Sequence, residues 1–419
     1  MTLEQVHDSV ISCSKCGFCQ QACPTYAITG REHQVARGRH QLVRGIIEQK
    51  VTLDRQVKDM LFECLMCNAC YSNCFPAIKT DHIMALARHE YIKMHGQPSI
   101  QKYIFKSFLR DPAGMTRLLK LAAAGKNSGL SGLAQVLRYL GWFGGNLAHA
   151  ERLLKKIPFC SLRERLAKTS VKPANAIGKI AYFVGCGINH AQPDVGMASV
   201  NVMREMGYEV EVLDNVCCGI PAYAYGDLDS VQWFMERNLA VLSATDADLI
   251  ITDCASCASF LKSYPELARD PEQKELAVKV SGQVTEITGW IADNFDLVRF
   301  PPNGKYVRMT WHDPCHLAHH MKERKSAREL LSNMSHVQFV EMEKADMCCG
   351  GAGSYNIAHP DKSLQLLSIK MDHVKNTDAK VLVTACPACI IQLSFGARHH
   401  DLPVEVKHIT QVIADRFNS

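Results

Sequence analysis

Residues 13–24 read CSKCGFCQQACP, and residues 64–76 read CLMCNACYSNCFP. Both stretches space four cysteines as C-x₂-C-x₂-C-x₃-C, and two further sets of five cysteines follow in the C-terminal half. Of the 19 cysteines in the chain, only Cys160 belongs to no set. Thiolates repeated at such regular spacing predict several iron–sulfur clusters, and hence chemistry based on electron transfer.

The two N-terminal runs have the spacing of ferredoxins that hold two cubane clusters, in which the fourth cysteine of each run crosses to the other cluster. Crossed ligation predicts one [4Fe–4S] cluster on Cys13, Cys16, Cys19 and Cys74. It predicts a second on Cys64, Cys67, Cys70 and Cys23. The first run ends in Cys23-Pro24 as expected, whereas Phe75 separates Cys74 from Pro76.

Two other uses of cysteine fit the pattern less well. Structural zinc takes four ligands from two C-x₂-C pairs and leaves a third cysteine at the same spacing unexplained. Disulfides form in oxidising compartments, but the first ten residues, MTLEQVHDSV, have neither the basic nor the apolar region of a secretion signal. We therefore expect a cytoplasmic protein.

Length and composition predict a multidomain globular chain. With 419 residues, 47% of them hydrophobic, it is long enough for two or three domains with their own cores. A transmembrane helix is not expected, because no stretch approaches roughly 18 uninterrupted apolar residues. The nearest candidate, VLRYLGWFGGNLA at 136–148, is interrupted by Arg138 and by glycines. Contact with the inner face of a membrane would therefore be peripheral.

Positive charge is concentrated in residues 101–170, which carry 13 lysines and arginines against three acidic residues. The segment predicts helices broken by glycines. Such a basic amphipathic segment can dock on anionic lipid or an acidic partner, and a solvated linker between domains fits equally well. Nucleic acid is not an expected partner, because no recognised binding motif accompanies the charge.

From about residue 178 the sequence repeats itself. Apolar runs alternate with helical stretches, which predicts parallel βαβ units. These runs lie at 181–184, 210–213, 248–252, 306–310, 337–340 and 380–384. The cysteines recur in the same order, with Cys186 and Cys315 129 residues apart and Cys254 and Cys386 132 apart. The predicted fold is a helical ferredoxin-like domain (1–95), a basic helical linker (96–177) and two duplicated α/β domains with short parallel sheets (178–300 and 301–419).

Each repeat places five cysteines just beyond strand ends, where ligands collect in open α/β sheets. The first array is Cys186, Cys217, Cys218, Cys254 and Cys257, and the second is Cys315, Cys348, Cys349, Cys386 and Cys389. Glycine follows each adjacent pair, as Gly219 and as Gly350 and Gly351, and lets the backbone approach a bulky cofactor closely. These residues are candidates for cluster binding.

The two arrays resemble the cysteine-rich CCG domain, C-x₃₀₋₄₀-CCG-x₃₅₋₃₇-C-x₂-C, which occurs twice in the catalytic subunits of heterodisulfide reductases. In that family the five cysteines hold a noncubane [4Fe–4S] cluster. The resemblance implies one or two such clusters here, in addition to the two cubanes.

The layout of the whole chain resembles the glycolate oxidase iron-sulfur subunit family, in the blocks CSKCGFCQQACPTY, RGR at 37–39, HDPCHL at 312–317 and CCGGAGSYNIAHP at 348–360. That resemblance implies electron transfer from an FAD-containing subunit, which oxidises glycolate or lactate, to an acceptor such as a quinone or a redox protein. No glycine-rich dinucleotide fingerprint occurs, so flavin is expected on another chain. The C-x₂-C pair that ends each array is complete, as Cys254/Cys257 and Cys386/Cys389. Two alternative functions therefore stay open: a heterodisulfide-reductase-like catalytic subunit and an electron-wiring subunit of a membrane quinone complex.

Four histidines surround Cys315, at positions 312, 316, 319 and 320. One of them could bind iron or relay a proton near neutral pH, although such residues more often hydrogen-bond to cluster sulfurs or face solvent. His316, which follows Cys315 directly, is the first candidate for a direct role. Cys160 is expected to be a buried apolar residue.

Overall fold

The structure is a computed structural model that describes residues 2–128, 145–168, 175–294 and 306–417. Part of the basic segment and most of the apolar stretch at 136–148 lie outside these ranges. Within them, no helix combines the length and the apolar character needed to cross a bilayer.

The N-terminal part is built from short helices around the two cysteine runs. Proline at position 24 begins a helix for which Cys23 is the N-cap, a position where proline loses no hydrogen bond. The longest helix buries Ile83, Met84 and Leu86 in the core. The elements are Leu3–Val6 (3₁₀), His7–Ile11, Phe18–Ala22, Pro24–Thr29, Glu32–Gln34 (3₁₀), Ala36–Ile47, Arg55–Phe62, Ala69–Ser72 and Thr80–His95.

The described part of the basic segment is helical, as predicted. Its elements are Ser99–Lys106, Phe108–Arg110 (3₁₀), Pro112–Asn127, Gly145–Leu153 and Leu162–Leu166. Several of its charges serve internal contacts: Lys120 pairs with Glu164, and Arg163 donates to the carbonyl oxygen of Asn215 at 3.2 Å. Cys160 is exposed, so the expectation that it is buried is wrong. It lies in a bend between two short helices, where no core covers it.

The first α/β unit contains four parallel strands, β1 to β4, in the order β2-β1-β3-β4. They are Gly178–Tyr182, Tyr208–Val212, Leu249–Thr252 and Val284–Glu286. The helices are Cys186–His190, Pro193–Glu205, Ile220–Ala224, Leu228–Ser243, Ala255–Lys262, Tyr264–Leu267, Pro271–Gln283 and Ile287–Asp293. The central strand β1 is buried at Ile180, Ala181 and Tyr182, as the apolar run predicts.

The second unit repeats this arrangement with strands β5 to β8 in the order β6-β5-β7-β8. They are Val307–Trp311, Val337–Phe339, Val381–Thr384 and Glu405–His408. The helical elements are His316–His320 (π), Ser326–Asn333, Tyr355–Ala358, Pro360–Lys375, Pro387–His399 and Ile409–Phe417. The predicted duplication and parallel sheets are therefore confirmed. The edge strands β4 and β8 were not predicted, because three or four residues containing charged side chains give no apolar run.

The two units pack against each other at the ends of their strands. The backbone N–H of Ala255, after β3, donates to the carbonyl oxygen of Ala385, after β7, at 3.0 Å. Helix Pro193–Glu205 packs on helix Ile409–Phe417, where the hydroxyl of Ser199 donates to that of Thr410 at 3.1 Å. This packing brings the cysteine-bearing edges of both sheets together.

Candidate metal centres

Two small cavities in the N-terminal part collect all eight cysteines of the first two runs. The lining of one includes Cys13, Cys16, Cys19 and Cys74. The lining of the other includes Cys23, Cys64, Cys67 and Cys70. Each group takes its fourth member from the opposite run, which is the arrangement that crossed ligation requires. Phe75 does not disturb this grouping, because its side chain is 93% exposed.

The chemistry of the second cavity fits a bound metal cluster. Burial raises the pKa of the Cys67 and Cys70 thiols, so their thiolate forms would be unstable there without a cation. Iron supplies that positive charge and binds the deprotonated sulfurs. Four thiol donors around one cavity therefore match a [4Fe–4S] cluster, and the same donor set surrounds the first cavity.

The five cysteines of the first array form a connected group beyond the carboxyl ends of β1, β2 and β3. Cys186 Sγ and Cys217 Sγ are 3.8 Å apart. Hydrogen bonds from Cys217 and Cys257 lower the pKa of Cys218 to about 5, and Cys257 also contacts Cys254. Four of the five side chains are buried.

The second array repeats the same sequence of contacts. Cys315 contacts Cys348, which contacts Cys349. Cys349 contacts Cys389, and Cys389 contacts Cys386. Pro387 begins the helix that follows Cys386, so the proline inside this C-x₂-C lies in the first helical turn as predicted.

The two arrays meet, which the sequence did not predict. The thiols of Cys254 in the first array and Cys386 in the second interact with each other. Ser256 lies at the same junction, with its hydroxyl 3.5 Å from Cys386 Sγ and 2.9 Å from His316 Nδ1. His316 is thus placed between the arrays. The ten cysteines form one continuous series of contacts.

The second array also borders the cysteines of the N-terminal part. Cys67 and Cys348 belong to one small hydrophobic cluster with Leu65 and Tyr355, and Cys315 packs against it. Cys70 lines both N-terminal cavities. The four sets therefore follow one another in space: the first run, the second run, the second array and the first array.

The glycines after the adjacent cysteine pairs serve the protein backbone. Gly219 and Gly350 have φ angles of +97° and +82°, which disfavour any side chain. A Cβ on Gly219 would lie 3.3 Å from Phe234, and one on Gly351 would lie 3.2 Å from Gln392. The nearest neighbours of all three glycines are thus atoms of the same unit, and these glycines allow the cysteine loops to fold tightly.

Two buried arginines lie near the second cavity, and the sequence did not predict a role for either, although Arg39 belongs to the RGR block. Arg39 is 1% exposed and donates to the backbone oxygen of Gln34 and, at 3.2 Å, to that of Met60. Arg88 is 3% exposed and donates to the carbonyl oxygens of Leu61 and Cys64 at 2.7 Å each. Both guanidinium groups place positive charge beside this cavity. A [4Fe–4S] cluster with four thiolate ligands would carry a net negative charge there.

Two family models match the cysteine sets. A 4Fe-4S dicluster domain matches residues 9–78, and a cysteine-rich domain matches residues 180–262 and again 309–394. The chain therefore contains a region that matches a 4Fe-4S dicluster domain and two regions that match a cysteine-rich domain. These three parts are called the dicluster domain and the first and second cysteine-rich domains below.

Curated relatives match the chain over all or part of its length. The chain is 28% identical to the "Probable glycolate oxidase iron-sulfur subunit" of Bacillus subtilis (strain 168), over 96% of this chain and 92% of that protein. It is 28% identical to "Lactate utilization protein A" of Geobacillus thermodenitrificans, over 57% of this chain and 99% of that protein. It is 34% identical to one subunit of the "Fumarate reductase (CoM/CoB)" of Methanothermobacter marburgensis, over 57% of this chain but only 46% of that protein. The predicted resemblance to the glycolate oxidase iron-sulfur subunit is confirmed.

Proposed function

We propose that this dicluster protein is the electron-transfer subunit of a flavin-dependent 2-hydroxy-acid oxidase complex. It receives electrons from an FAD-containing subunit that oxidises glycolate or lactate, and it delivers them to a quinone or a redox protein. The observation that carries this proposal is the spatial series of four cysteine sets, from the partly exposed first run to the junction of the two arrays. The names of two relatives, which mention glycolate oxidase and lactate utilization, support the substrate class.

The proposed ligands are the eighteen cysteines of the four sets, grouped as predicted from their spacing. Each bound cluster would take up and release one electron at a time. The protein positions the thiols at strand ends and helix N-caps, such as Cys23, Cys254 and Cys386. It also buries most of them away from water, and Arg39 and Arg88 offset the charge of the second cubane site.

The division into 1–95, 96–177, 178–300 and 301–419 and a cytoplasmic location are part of this proposal. So is a peripheral contact of the basic linker with a membrane or an acidic partner. Lys155 and Lys156 are exposed and suited to such a contact, whereas Arg163 is held by Asn215. Replacing both lysines with glutamine should weaken salt-sensitive binding to anionic vesicles, and unchanged binding would contradict the contact.

Metal analysis of the whole chain tests the proposal directly. An anaerobic preparation with four occupied sites should contain about sixteen irons per chain. About eight irons, with only ferredoxin-type EPR signals, would contradict clusters in the cysteine-rich domains. Purification from the native host should in addition recover an FAD-containing subunit, and its absence would contradict the oxidase assignment.

A second candidate function is reduction of a disulfide substrate at the cysteine-rich domains. The junction of the two arrays favours it, because His316 and Ser256 lie between them and could contact a substrate bound there. In that case the protein should form thiols from a disulfide when supplied with an artificial one-electron donor. Failure to do so with full iron content would exclude this candidate.

A further inference from the structure

His312 and Phe183 occupy equivalent positions in the two cysteine-rich domains. Each directly follows the central strand of its sheet and precedes the first cysteine of its array by three residues. The N–H of Phe183 donates to Ile251 O at 2.8 Å, and the N–H of His312 donates to Val383 O at 2.9 Å. Both side chains are fully buried. The duplication therefore keeps the backbone and exchanges a phenyl ring for an imidazole.

The imidazole of His312 has polar atoms that the rest of the described protein does not satisfy. Neither Nδ1 nor Nε2 makes a full hydrogen bond with the described residues, and the group with which the ring interacts is the Cys349 thiol. A buried polar group without a partner is unfavourable, and a phenylalanine at this position, as in the first domain, would avoid that cost. The retained nitrogens therefore point to a partner supplied with the cluster.

The surroundings of His312 identify that partner as sulfur of the second array. A ring nitrogen of His312 and the Sγ atoms of Cys349 and Cys389 all lie within 4.8 Å of one another. The five cysteines already supply the full thiol set of the array, so an additional iron ligand is not required. An imidazole N–H in this position can instead donate to a thiolate or a cluster sulfide.

We propose that His312 donates a hydrogen bond to the sulfur atoms of the second cluster and thereby makes that cluster easier to reduce than the first. Hydrogen bonds to cluster sulfurs stabilise the more negative, reduced state. Phe183 offers no donor to the first array, so the two sites differ in reduction potential although their folds agree. This inference rests on the proposed cluster in the second cysteine-rich domain.

EPR-monitored redox titration of the anaerobic full-length protein tests it. The signal of the second array is first identified as the one lost in Cys349→Ser. In His312→Phe, which reproduces the first domain, that signal should move to a lower midpoint potential while iron content stays at the wild-type value. His312→Gln, which keeps an N–H donor, should restore much of the potential. His373→Phe removes a histidine of the same domain that pairs with Glu343 and should change nothing.

Three results would overturn the proposal. An unchanged potential in His312→Phe with full iron would show that the nitrogen has no effect on the cluster. An equal shift in His373→Phe would show that the effect is not specific to this site. Strong nitrogen hyperfine coupling from His312 in pulsed EPR would identify an iron ligand instead of a hydrogen-bond donor. If Cys349→Ser removes no signal and no iron, the proposed cluster itself is refuted, and with it both proposals.

Discussion

The two cysteine-rich domains share a sheet order, a set of five cysteines and a contact pattern between them, yet they differ in the polar groups placed around this frame. The difference at Phe183 and His312 has a parallel at the edge strands. Glu286 ends β4 and His408 ends β8, and both cap the helix that follows. Glu286 accepts from Thr288 N at 2.8 Å, and His408 Nδ1 accepts from Thr410 N at 3.2 Å. Duplication thus preserved the geometry of the cap while its chemistry changed from acid to base.

The largest expected effect is the loss of a cluster, and its consequence for electron transfer should differ between the two arrays because they lie at different positions in the electron path. Cys218→Ser and Cys349→Ser should each remove one cluster, or about four irons. Because the second array borders the dicluster domain, Cys218→Ser should leave the second array reducible through that domain. Cys349→Ser should instead prevent reduction of the first array as well. Stopped-flow reduction followed by EPR measures this, and rapid reduction of the first array in Cys349→Ser would contradict the proposed order.

The next effect concerns neutral to mildly alkaline pH. Burial raises the pKa of Glu286 to about 8. Between the ordinary carboxyl range and pH 8, the folded state therefore holds a proton that the unfolded state has lost. From about pH 6.5 to 8, where an unfolded histidine no longer takes up a proton and His408 does not offset the effect, the free energy of unfolding should fall by about 1.4 kcal/mol per pH unit, and it should level off above pH 8. Glu286→Gln should remove that slope in anaerobic denaturant unfolding. A slope equal to wild type would contradict the burial argument.

The corresponding position in the second domain should respond to acid. Burial lowers the pKa of His408 to about 4, whereas an unfolded histidine takes up a proton near pH 6.5. As pH falls from about 6.5 toward 4, the unfolded state gains a proton that the folded state excludes, so stability is lost. His408→Gln should reduce this loss and leave the alkaline slope intact. Denaturant unfolding of wild type and variant between pH 6.5 and 5 measures the difference between their slopes, to which Glu286 contributes equally in both proteins, and identical slopes would exclude His408 as a source of the loss.

The smallest effect compares the glycines after the cysteine pairs. Alanine at Gly219 or Gly350 should cost about 1–2 kcal/mol, because both have positive φ angles. Gly350→Ala should cost more, since its Cβ would lie 2.9 Å from the backbone oxygen of Ser363, whereas at Gly219 the nearest atoms are side chains at 3.3 Å. Urea unfolding midpoints give the ranking. Equal costs would mean that the loop at Gly350 relaxes and avoids the contact with Ser363, so that the clash adds no further loss of stability.

Much of this architecture could be predicted from the sequence because its signals are local. The central strands β1, β3, β5 and β7 lie within one to three residues of their apolar runs, since strands buried on both faces are largely apolar. The edge strands β4 and β8 have little apolar surface to bury and left no such pattern. Arg39 and Arg88 were missed for a related reason: a buried arginine is recognised only by the carbonyl oxygens that surround it.

The sequence by itself determined the number and spacing of the cysteines, the duplication and the parallel sheets, because residues a few positions apart have their distances limited by the chain. Only the tertiary structure decided that Cys254 meets Cys386, that Cys67 borders the second array and that His312 faces Cys349 and Cys389. These pairs are separated by between 37 and 281 residues, so their proximity depends on how helices and sheets pack. Packing of surfaces that are far apart in sequence leaves no periodic mark in the sequence.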